Sequence, residues 1–243
     1  LETMRDRAIA FVPASGRQCT TLSTMFGSHL QGMPIIAENG TYVVRDGVDI
    51  SSSTIDPNLT REVITGVRQL RNDGHDVGLV VATKSIAYLE RGDDPFVSHV
   101  ATYYHSHRIV KDLSEHTDDV IKLSIYDFRE ASEATYPTMQ RTAPEHQVIL
   151  ATPNWVDIMN PGVNKGSAVE AVQRDLGVTA DQTAIFGDFL NDLEMMPLAK
   201  WSFAMANGHP DIVKASKYIA PPNTERGVIT VLAALLGVNV PAT

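Results

Sequence analysis

Three oxygen-bearing side chains stand close together in the sequence, at Asp188, Asn191 and Asp192. They follow an apolar run, residues 183–186, and one glycine, Gly187, which permits a close turn of the backbone. Carboxylates just beyond the carboxyl end of a buried strand occupy the place where α/β sheets bind their ligands. Hard oxygen ligands suit Mg²⁺ and phosphate better than a soft metal. The pattern therefore favours phosphoryl chemistry, with Asp188 and Asp192 as candidate metal ligands.

The same residues have a simpler structural interpretation. Asp188 can cap the next helix, and Asp192 can complement the helix dipole. Like charges four residues apart on a helix cost about 0.2–0.5 kcal/mol unless a cation lies between them. The full Gly-Asp-x-x-Asn-Asp spacing after an apolar strand favours the functional interpretation.

Two further segments carry candidate phosphate ligands. Lys165 opens a predicted helix, where the positive end of the dipole disfavours a cation by about 0.3–1 kcal/mol and favours an anion. Ser15-Gly16-Arg17 follows a predicted strand, so that the serine hydroxyl and the backbone donors could hold phosphate oxygens. A solvated lysine and a plain turn explain each segment equally well when it is taken alone. A phosphate site nearby favours the functional interpretation of both.

Other residues that could do chemistry are weaker candidates. Asn207 precedes a glycine, and Asn-Gly usually marks a turn. His99, His105 and His107 lack the organised partners that a zinc site needs, so we expect structural roles for them. Cys19 is the single cysteine, which excludes an intrachain disulfide and agrees with a reducing compartment.

Strands and helices alternate at both ends of the chain, which predicts an α/β fold with a doubly wound parallel sheet. In these ends the predicted strands cover residues 8–12, 34–37, 183–186 and 202–205, and the predicted helices cover residues 18–26, 165–176 and 227–236. Asp46-Gly47 predicts a hairpin between strands 41–44 and 48–50.

The turn-rich stretch 51–58 predicts a domain boundary near Asn58. The region that follows, residues 59–159, has an α+β pattern, with strands at 77–82, 121–126 and 148–152 and helices that begin near Thr60 and Ser132. We therefore predict a discontinuous core domain, residues 1–58 and 160–243, and an inserted α+β domain, residues 59–159.

Composition limits the class of protein. The chain has 243 residues, of which 43% are hydrophobic and 20% charged, as in ordinary globular proteins. A formal net charge of −9 disfavours binding to nucleic acid or to an anionic membrane surface. No apolar stretch approaches the roughly 20 residues that span a bilayer, since Gly237 and Asn239 interrupt the segment 228–240. The start resembles no signal peptide, and we expect a cytoplasmic protein.

Five segments together resemble the haloacid dehalogenase (HAD) superfamily, and their order and spacing are similar to its Cof-type branch, the class IIB sugar phosphatases, over essentially the whole chain. The segments are Ala14-Ser15-Gly16-Arg17, Glu38-Asn39-Gly40, Asn160-Pro161-Gly162-x-x-Lys165-Gly166, Gly187-Asp188-x-x-Asn191-Asp192-x-x-Met195 and Ala204-Met205-Ala206-Asn207.

The resemblance implies a role for each matching residue. Ser15, with Gly16 and Arg17, would bind phosphate, and Lys165 would neutralise the nucleophile and the phosphate. Asp188 would ligate Mg²⁺, and Asn191 and Asp192 would orient this cluster or contact phosphate. It also implies a HAD-like Rossmannoid core and a mobile cap inserted between the second and third motifs. The implied partner is a small phosphorylated metabolite, a sugar phosphate, and we expect a monomer or a weak homodimer.

One motif of the family has no match. Asp-x-Asp-Gly, which supplies the nucleophile and the general acid/base, is absent from this sequence. We expect the natural protein to extend upstream of Leu1 and to carry this motif there.

Three functions remain open at this point. The first is a Mg²⁺-dependent phosphatase that works through an aspartyl phosphate. The second is a phosphomutase of the same superfamily, which would pass the phosphoryl group to another hydroxyl. The third is an inactive protein that binds a phosphometabolite, which applies if the first motif is truly missing.

Overall fold

The computed structural model describes residues 1–239 of the chain. Its helices within this range are α1 (Glu2–Asp6), α2 (Cys19–Phe26), α3 (Pro57–Asn72), α4 (Asp94–Ala101), α5 (Thr135–Thr142), α6 (Lys165–Leu176), α7 (Pro210–Ala215) and α8 (Gly227–Leu236). Two 3₁₀ segments are important for the site, Glu38–Gly40 and Leu190–Leu198.

The strands within the same range form three sheets. They are β1 (Pro34–Ala37), β2 (Tyr42–Arg45), β3 (Val48–Ser52), β4 (Val77–Thr83), β5 (Ala87–Leu89), β6 (His107–Ile109), β7 (Val120–Asp127), β8 (Gln147–Leu150), β9 (Trp155–Met159), β10 (Ala184–Gly187), β11 (Trp201–Met205) and β12 (Tyr218–Ala220).

The largest sheet has the strand order β6-β5-β4-β7-β9-β8, and its central strands are antiparallel. One face packs against α3 and α5 through a core cluster that includes Val63, Val67, Met139, Leu123, Ile125, Val156 and Ile158. Successive side chains of a strand point to opposite faces. The other face of β7 and β9 therefore presents Lys122, Ser124, Trp155 and Asp157.

The second sheet is parallel and consists of β10, β11 and β12. Its apolar core joins α6 to the first sheet-forming segment of the chain, since Val169 and Val172 share a cluster with Ile36, Val43 and Ile185. The predicted α/β class is confirmed, with β10 leading directly to the acidic cluster and α6 beginning at Lys165.

The third sheet is the antiparallel meander β1-β2-β3. The predicted hairpin is confirmed, because Asp46 and Gly47 both have positive φ angles, 50° and 79°. Positive φ at both central residues is the requirement of the type I′ turn that Asp-Gly favours.

The start of α3 differs slightly from the expected position. The N-cap is Asp56, whose Oδ1 accepts a hydrogen bond of 2.7 Å from the Asn58 N–H, and Pro57 occupies the first turn. Thr60, the predicted cap, lies inside the helix and is buried. Proline is favoured in a first helical turn because no partner for its missing N–H is needed there.

The predicted strand 8–12 is wrong, because these residues have no regular secondary structure in the described chain. Only Ala14, beyond this run, forms a parallel bridge, with Ile36. A strand exists where a neighbouring strand pairs with its N–H and C=O groups, and Ile9 is instead 37% exposed.

Four strands were not predicted: β5, β6, β9 and β12. Three of them are only three residues long, which is too short for a recognisable pattern. β9, Trp155–Met159, contains a buried aspartate, which obscures an otherwise apolar run.

The predicted domain division, residues 1–58 with 160–243 and residues 59–159, remains a prediction. Strands β4 to β9 lie inside the predicted insert, and the other strands lie outside it. Residues 240–243 of the predicted core lie outside the described residues. Within residues 1–239, no helix combines the length and the apolar character needed to cross a bilayer.

Candidate active site

The loop Ser15-Gly16-Arg17 is held against the end of β1 by backbone hydrogen bonds. Ser15 donates its N–H to Ile36 O at 3.0 Å, and Ser15 O accepts from the Asn39 N–H at 3.0 Å. The Ser15 hydroxyl accepts a hydrogen bond of 3.2 Å from the Arg17 N–H, which closes the loop on itself. These bonds give the loop a defined shape where it lines a cavity, and its phosphate-binding role remains a prediction.

Lys165 and Asp192 form a buried ion pair. Lys165 Nζ lies 2.6 Å from Asp192 Oδ1, and the two residues are only 6% and 4% exposed. Lys165 is the first residue of α6, whose start is fixed by a capping box between Asn164 and Ser167. The helix therefore delivers the ammonium group to the acidic cluster that follows β10.

Asp192 also organises the loop that precedes it. Its Oδ2 accepts hydrogen bonds from the backbone N–H of Asp188, at 2.9 Å, and of Phe189, at 3.3 Å. A Cβ atom at Gly187 would lie 2.8 Å from Asp192 Cβ, so only glycine permits this approach. Both Asp192 oxygens are engaged by the protein. In the structure Asp192 anchors the loop and pairs with Lys165. Its predicted role as a metal ligand remains a prediction.

Asp188 is exposed at the carboxyl end of β10. Its Oδ2 accepts a hydrogen bond of 3.2 Å from Asn223 Nδ2. Asn223 is in turn held by Asn207, through bonds of 2.9 and 3.1 Å. The weak candidate Asn207 is therefore connected to the site through Asn223, a residue that the sequence analysis did not consider.

Asn191 connects the acidic loop to the phosphate loop. Its Nδ2 donates to Asn39 Oδ1 at 3.1 Å, and Asn39 in turn binds Ser15 through the backbone. Hydrogen bonds thus link the segments around Ser15, Lys165 and Asp188, which are up to 173 positions apart in the sequence.

A cavity of about 300 Å³ lies where these segments meet the large sheet. The predicted residues Ser15, Gly16, Arg17 and Asn191 line it. Lys165, Asp188 and Asp192 are not among the residues that line it. The remaining lining residues are Asn39, Tyr103, Tyr104, Lys122, Ser124, Ala151, Thr152, Trp155 and Asp157.

One wall of the cavity, which we call the sheet wall, consists of Lys122, Ser124, Trp155 and Asp157. Ser124 and Asp157 are register partners in β7 and β9, and Ser124 Oγ donates to Asp157 Oδ1 at 2.6 Å. The Tyr104 hydroxyl lies 3.0 Å from Ser124 Oγ. Alternation of Lys122-Leu123-Ser124-Ile125 was a signal in the sequence that could have identified this polar face.

Lys122 joins the sheet wall to the rest of the site. Its Nζ lies 2.5 Å from Glu38 Oε2 and donates to Gly16 O at 3.2 Å. Glu38 is 1% exposed. Burial raises the pKa of Glu38 above the usual carboxyl range, and the Lys122 charge opposes that rise. The neighbouring carboxylates raise the pKa of Lys122 against the effect of burial.

A second set of contacts joins α2 to residues 102–106. Arg17 Nη1 donates to Thr102 O at 2.7 Å, and Gln18 exchanges two hydrogen bonds with Ser106, of 3.0 and 2.9 Å. Thr21 Oγ1 donates to Tyr103 O at 3.1 Å. These bonds hold the segment that precedes β6 against the phosphate loop and the start of α2.

A magnesium ion needs several oxygen ligands. Within residues 1–239 no group of three or more His, Cys, Asp and Glu side chains is placed to hold a metal. Asp188 is exposed, and its carboxylate accepts one hydrogen bond from Asn223 Nδ2, so it fits as one ligand among several. The expected structural role of the histidines agrees with His99, which stacks on Tyr126 at 4.3 Å.

Comparison with known proteins places these features in a family. The sequence model of the haloacid dehalogenase-like hydrolases matches residues 1–232. The chain is 29% identical, over 97% of its own length and 86% of the relative, to the 5-amino-6-(5-phospho-D-ribitylamino)uracil phosphatase YbjI of Escherichia coli (strain K12).

Solved structures show the same fold. A haloacid dehalogenase-like hydrolase from Bacteroides thetaiotaomicron matches with a TM-score of 0.84 at 21% identity, over 96% of this chain and 90% of that one. The HAD subclass IIB sugar phosphatase BT4131 matches with a TM-score of 0.76 at 19% identity, over 96% and 88%.

The predicted resemblance is confirmed by these matches, and so is the prediction of a phosphoric monoester hydrolase of the HAD type. The match extends from the first residue to within α8 and includes every segment of the site. The chain belongs to the haloacid dehalogenase-like hydrolases.

Proposed function

We propose that this protein is a Mg²⁺-dependent phosphatase that hydrolyses small phosphorylated metabolites, with sugar phosphates as substrates, through an aspartyl-phosphate intermediate. The observation that carries the proposal is the cavity, which is lined by both the phosphate loop and the polar sheet wall. Such a lining suits a phosphate ester of a small polar alcohol.

The residues of this chain have distinct tasks in the proposal. Ser15 and the backbone of the loop 15–17 hold the phosphate oxygens, and Arg17 lies beside them. Lys165, held in place by Asp192, supplies positive charge for the transferring phosphoryl group. Asn191 lines the cavity and keeps the acidic loop against Asn39. In the family that the chain resembles, the nucleophile and the acid/base belong to an Asp-x-Asp-Gly motif, which residues 1–243 do not contain.

Asp188 is the residue of this chain that would hold Mg²⁺, together with carboxylates of the first motif. When bound, the ion would supply charge stabilisation to the phosphoryl oxygens. The chemistry of an exposed carboxylate suits a hard cation.

The test is phosphate release from a panel of sugar phosphates by the protein that includes the first motif. The panel should include a phosphorylated ribitylamino-pyrimidine, because the relative from Escherichia coli is named for that substrate. We expect activity that chelation of Mg²⁺ abolishes. Asp188→Ala should lower kcat by about 100-fold or more.

The matched control is Asp181→Ala. Asp181 has a 76% exposed side chain in a neighbouring turn, so its removal should leave kcat unchanged. Metal-independent turnover, or full activity in Asp188→Ala, would contradict the proposal. Analysis of products separates hydrolysis from transfer to a second hydroxyl, which a phosphomutase would show.

A further inference from the structure

Asp157 lines the cavity and is held there in a fixed orientation. Its Oδ1 accepts the 2.6 Å hydrogen bond from Ser124, which also lies 3.0 Å from the Tyr104 hydroxyl. These partners are buried, with Ser124 1% and Tyr104 2% exposed. The side chain of Asp157 therefore has little freedom to turn away from the cavity that it lines.

The other carboxylate oxygen of Asp157, Oδ2, has different neighbours from Oδ1. Among the residues that the structure describes, its charged neighbour is Lys122, whose Nζ lies 3.9 Å from Oδ2. That distance is too long for a hydrogen bond. Lys122 lies closer to Glu38 Oε2 and Gly16 O. Oδ2 thus remains an acceptor for a donor inside the cavity.

The charges at the sheet wall favour an uncharged group of the substrate beside it. Two carboxyl groups, Glu38 and Asp157, surround one ammonium group, that of Lys122. The guanidinium of Arg17 is already engaged by the protein, because it donates to Thr102 O and lies over the Tyr103 ring. The wall therefore has no surplus positive charge for a second anionic group on the substrate.

Aromatic surface lies beside the carboxylate. Trp155 shares the face of β9 with Asp157, two residues away, and Tyr103 meets Trp155 edge to face at 5.8 Å. A carboxylate acceptor next to an aromatic face matches an alcohol with several hydroxyl groups, because hydroxyls donate to the carboxylate while C–H groups pack on the ring.

We propose that Asp157, oriented by Ser124 and Tyr104, is the specificity-determining residue that selects an uncharged leaving group with several hydroxyl groups. This inference rests on the proposed phosphatase function, which it makes more specific. Phosphate esters whose leaving group lacks hydroxyls leave the Asp157 carboxylate desolvated and without a donor, which disfavours them.

The test compares two esters of the same chain length, D-sorbitol 6-phosphate and n-hexyl phosphate, on the protein that includes the first motif. The wild type should prefer the sorbitol ester in kcat/KM. Asp157→Asn should lower kcat/KM for the sorbitol ester by about 10- to 100-fold and change that for the hexyl ester less than about twofold. Ser124→Ala should also lower kcat/KM selectively for the sorbitol ester, but by a smaller factor.

Asp118→Asn is the matched control, because Asp118 is exposed and lies outside the cavity. Calorimetric binding of D-sorbitol 6-phosphate is measured in parallel, so that binding and catalysis are separated. Hydrolysis of both esters with an unchanged preference in Asp157→Asn would overturn the inference and leave the phosphatase intact.

The reverse outcome is also distinguishable. If neither ester is hydrolysed but the sorbitol ester binds the wild type at least tenfold more tightly than it binds Asp157→Asn, the inference stands and the proposed activity fails. Absence of both hydrolysis and Asp157-dependent binding would overturn both proposals.

Discussion

The carboxylate of Asp192 accepts three hydrogen bonds, one from Lys165 and two from backbone N–H groups of the preceding loop. This single side chain therefore sets both the position of the ammonium group and the shape of the loop that bears Asp188. The simpler structural interpretation explains the bonds of Asp192 to nearby backbone N–H groups. It does not explain the contact with Lys165, which is distant in the sequence.

We expect Asp192→Asn to destabilise the protein by about 3 kcal/mol, because Lys165 would stay buried without a counter-charge. The amide cannot accept bonds on both of its atoms, so the loop 188–191 would also be released. Urea unfolding measures the loss of stability, and phosphate release measures the loss of activity.

Asp181→Asn serves as the control for this change, since its side chain is exposed and its substitution should alter stability by less than about 0.5 kcal/mol. A stability of Asp192→Asn equal to the wild type would show that the buried pair does not anchor the loop.

At the scale of elements, the start of α6 is the part of the fold that places Lys165. Asn164 Oδ1 accepts from the Ser167 N–H at 2.9 Å, and Ser167 Oγ accepts from the Asn164 N–H at 3.2 Å. Strand β10 and helix α6 reach the site from different parts of the sequence, and each ends or begins at a residue of the site.

We predict that Asn164→Ala lowers the free energy of unfolding by about 1 kcal/mol through loss of the N-cap. Because Lys165 is the next residue, the change should also reduce kcat/KM for a phosphate ester by about tenfold. Steady-state kinetics and chemical denaturation measure the two effects separately.

Asp56→Ala provides the comparison, because Asp56 caps α3 far from the phosphate loop by a bond of similar length, 2.7 Å. It should show a similar loss of stability with unchanged kcat/KM. An equal loss of activity in the two variants would mean that the effect of Asn164 is only on global stability.

At the scale of the whole molecule, the large sheet is joined to the phosphate loop by a buried charge as well as by surface hydrogen bonds. Lys122 of β7 reaches Glu38 and Gly16, and α2 binds residues 102–106. Closure of the two parts over the cavity would exclude water from the reaction.

Lys122→Met should cost about 3–5 kcal/mol of stability at neutral pH, because Glu38 would be buried without its counter-charge. The pKa of Glu38 is already raised by burial, and loss of Lys122 raises it further. A carboxyl with a raised folded-state pKa contributes stability below its unfolded pKa, about 4.3, and loses it as the pH rises.

The deficit of Lys122→Met should therefore grow as the pH rises above the unfolded-state pKa of about 4.3, as measured by urea unfolding from about pH 5 to pH 8. Addition of Glu38→Gln should recover more than half of the deficit at pH 8. A deficit that does not depend on pH would contradict the role assigned to the pair.

Much of the fold could be predicted from the sequence because its signals are local. The helix 165–176, with Gly177 after it, and the Asp46-Gly47 hairpin follow from periodicity and turn chemistry. The prediction of a strand at residues 8–12 was wrong because a strand needs a neighbouring strand, which no local sequence pattern reveals.

The sequence by itself determined the class of chemistry, because Ser15, Lys165, Asp188 and Asn191 carry their motifs in short segments. Only the tertiary structure decided that Asp192 pairs with Lys165, that Asn223 supports Asp188, and that Asp157 and Lys122 face the same cavity. These relations join residues distant in the chain, and their geometry arises from the packing of sheets and helices rather than from any nearby sequence pattern.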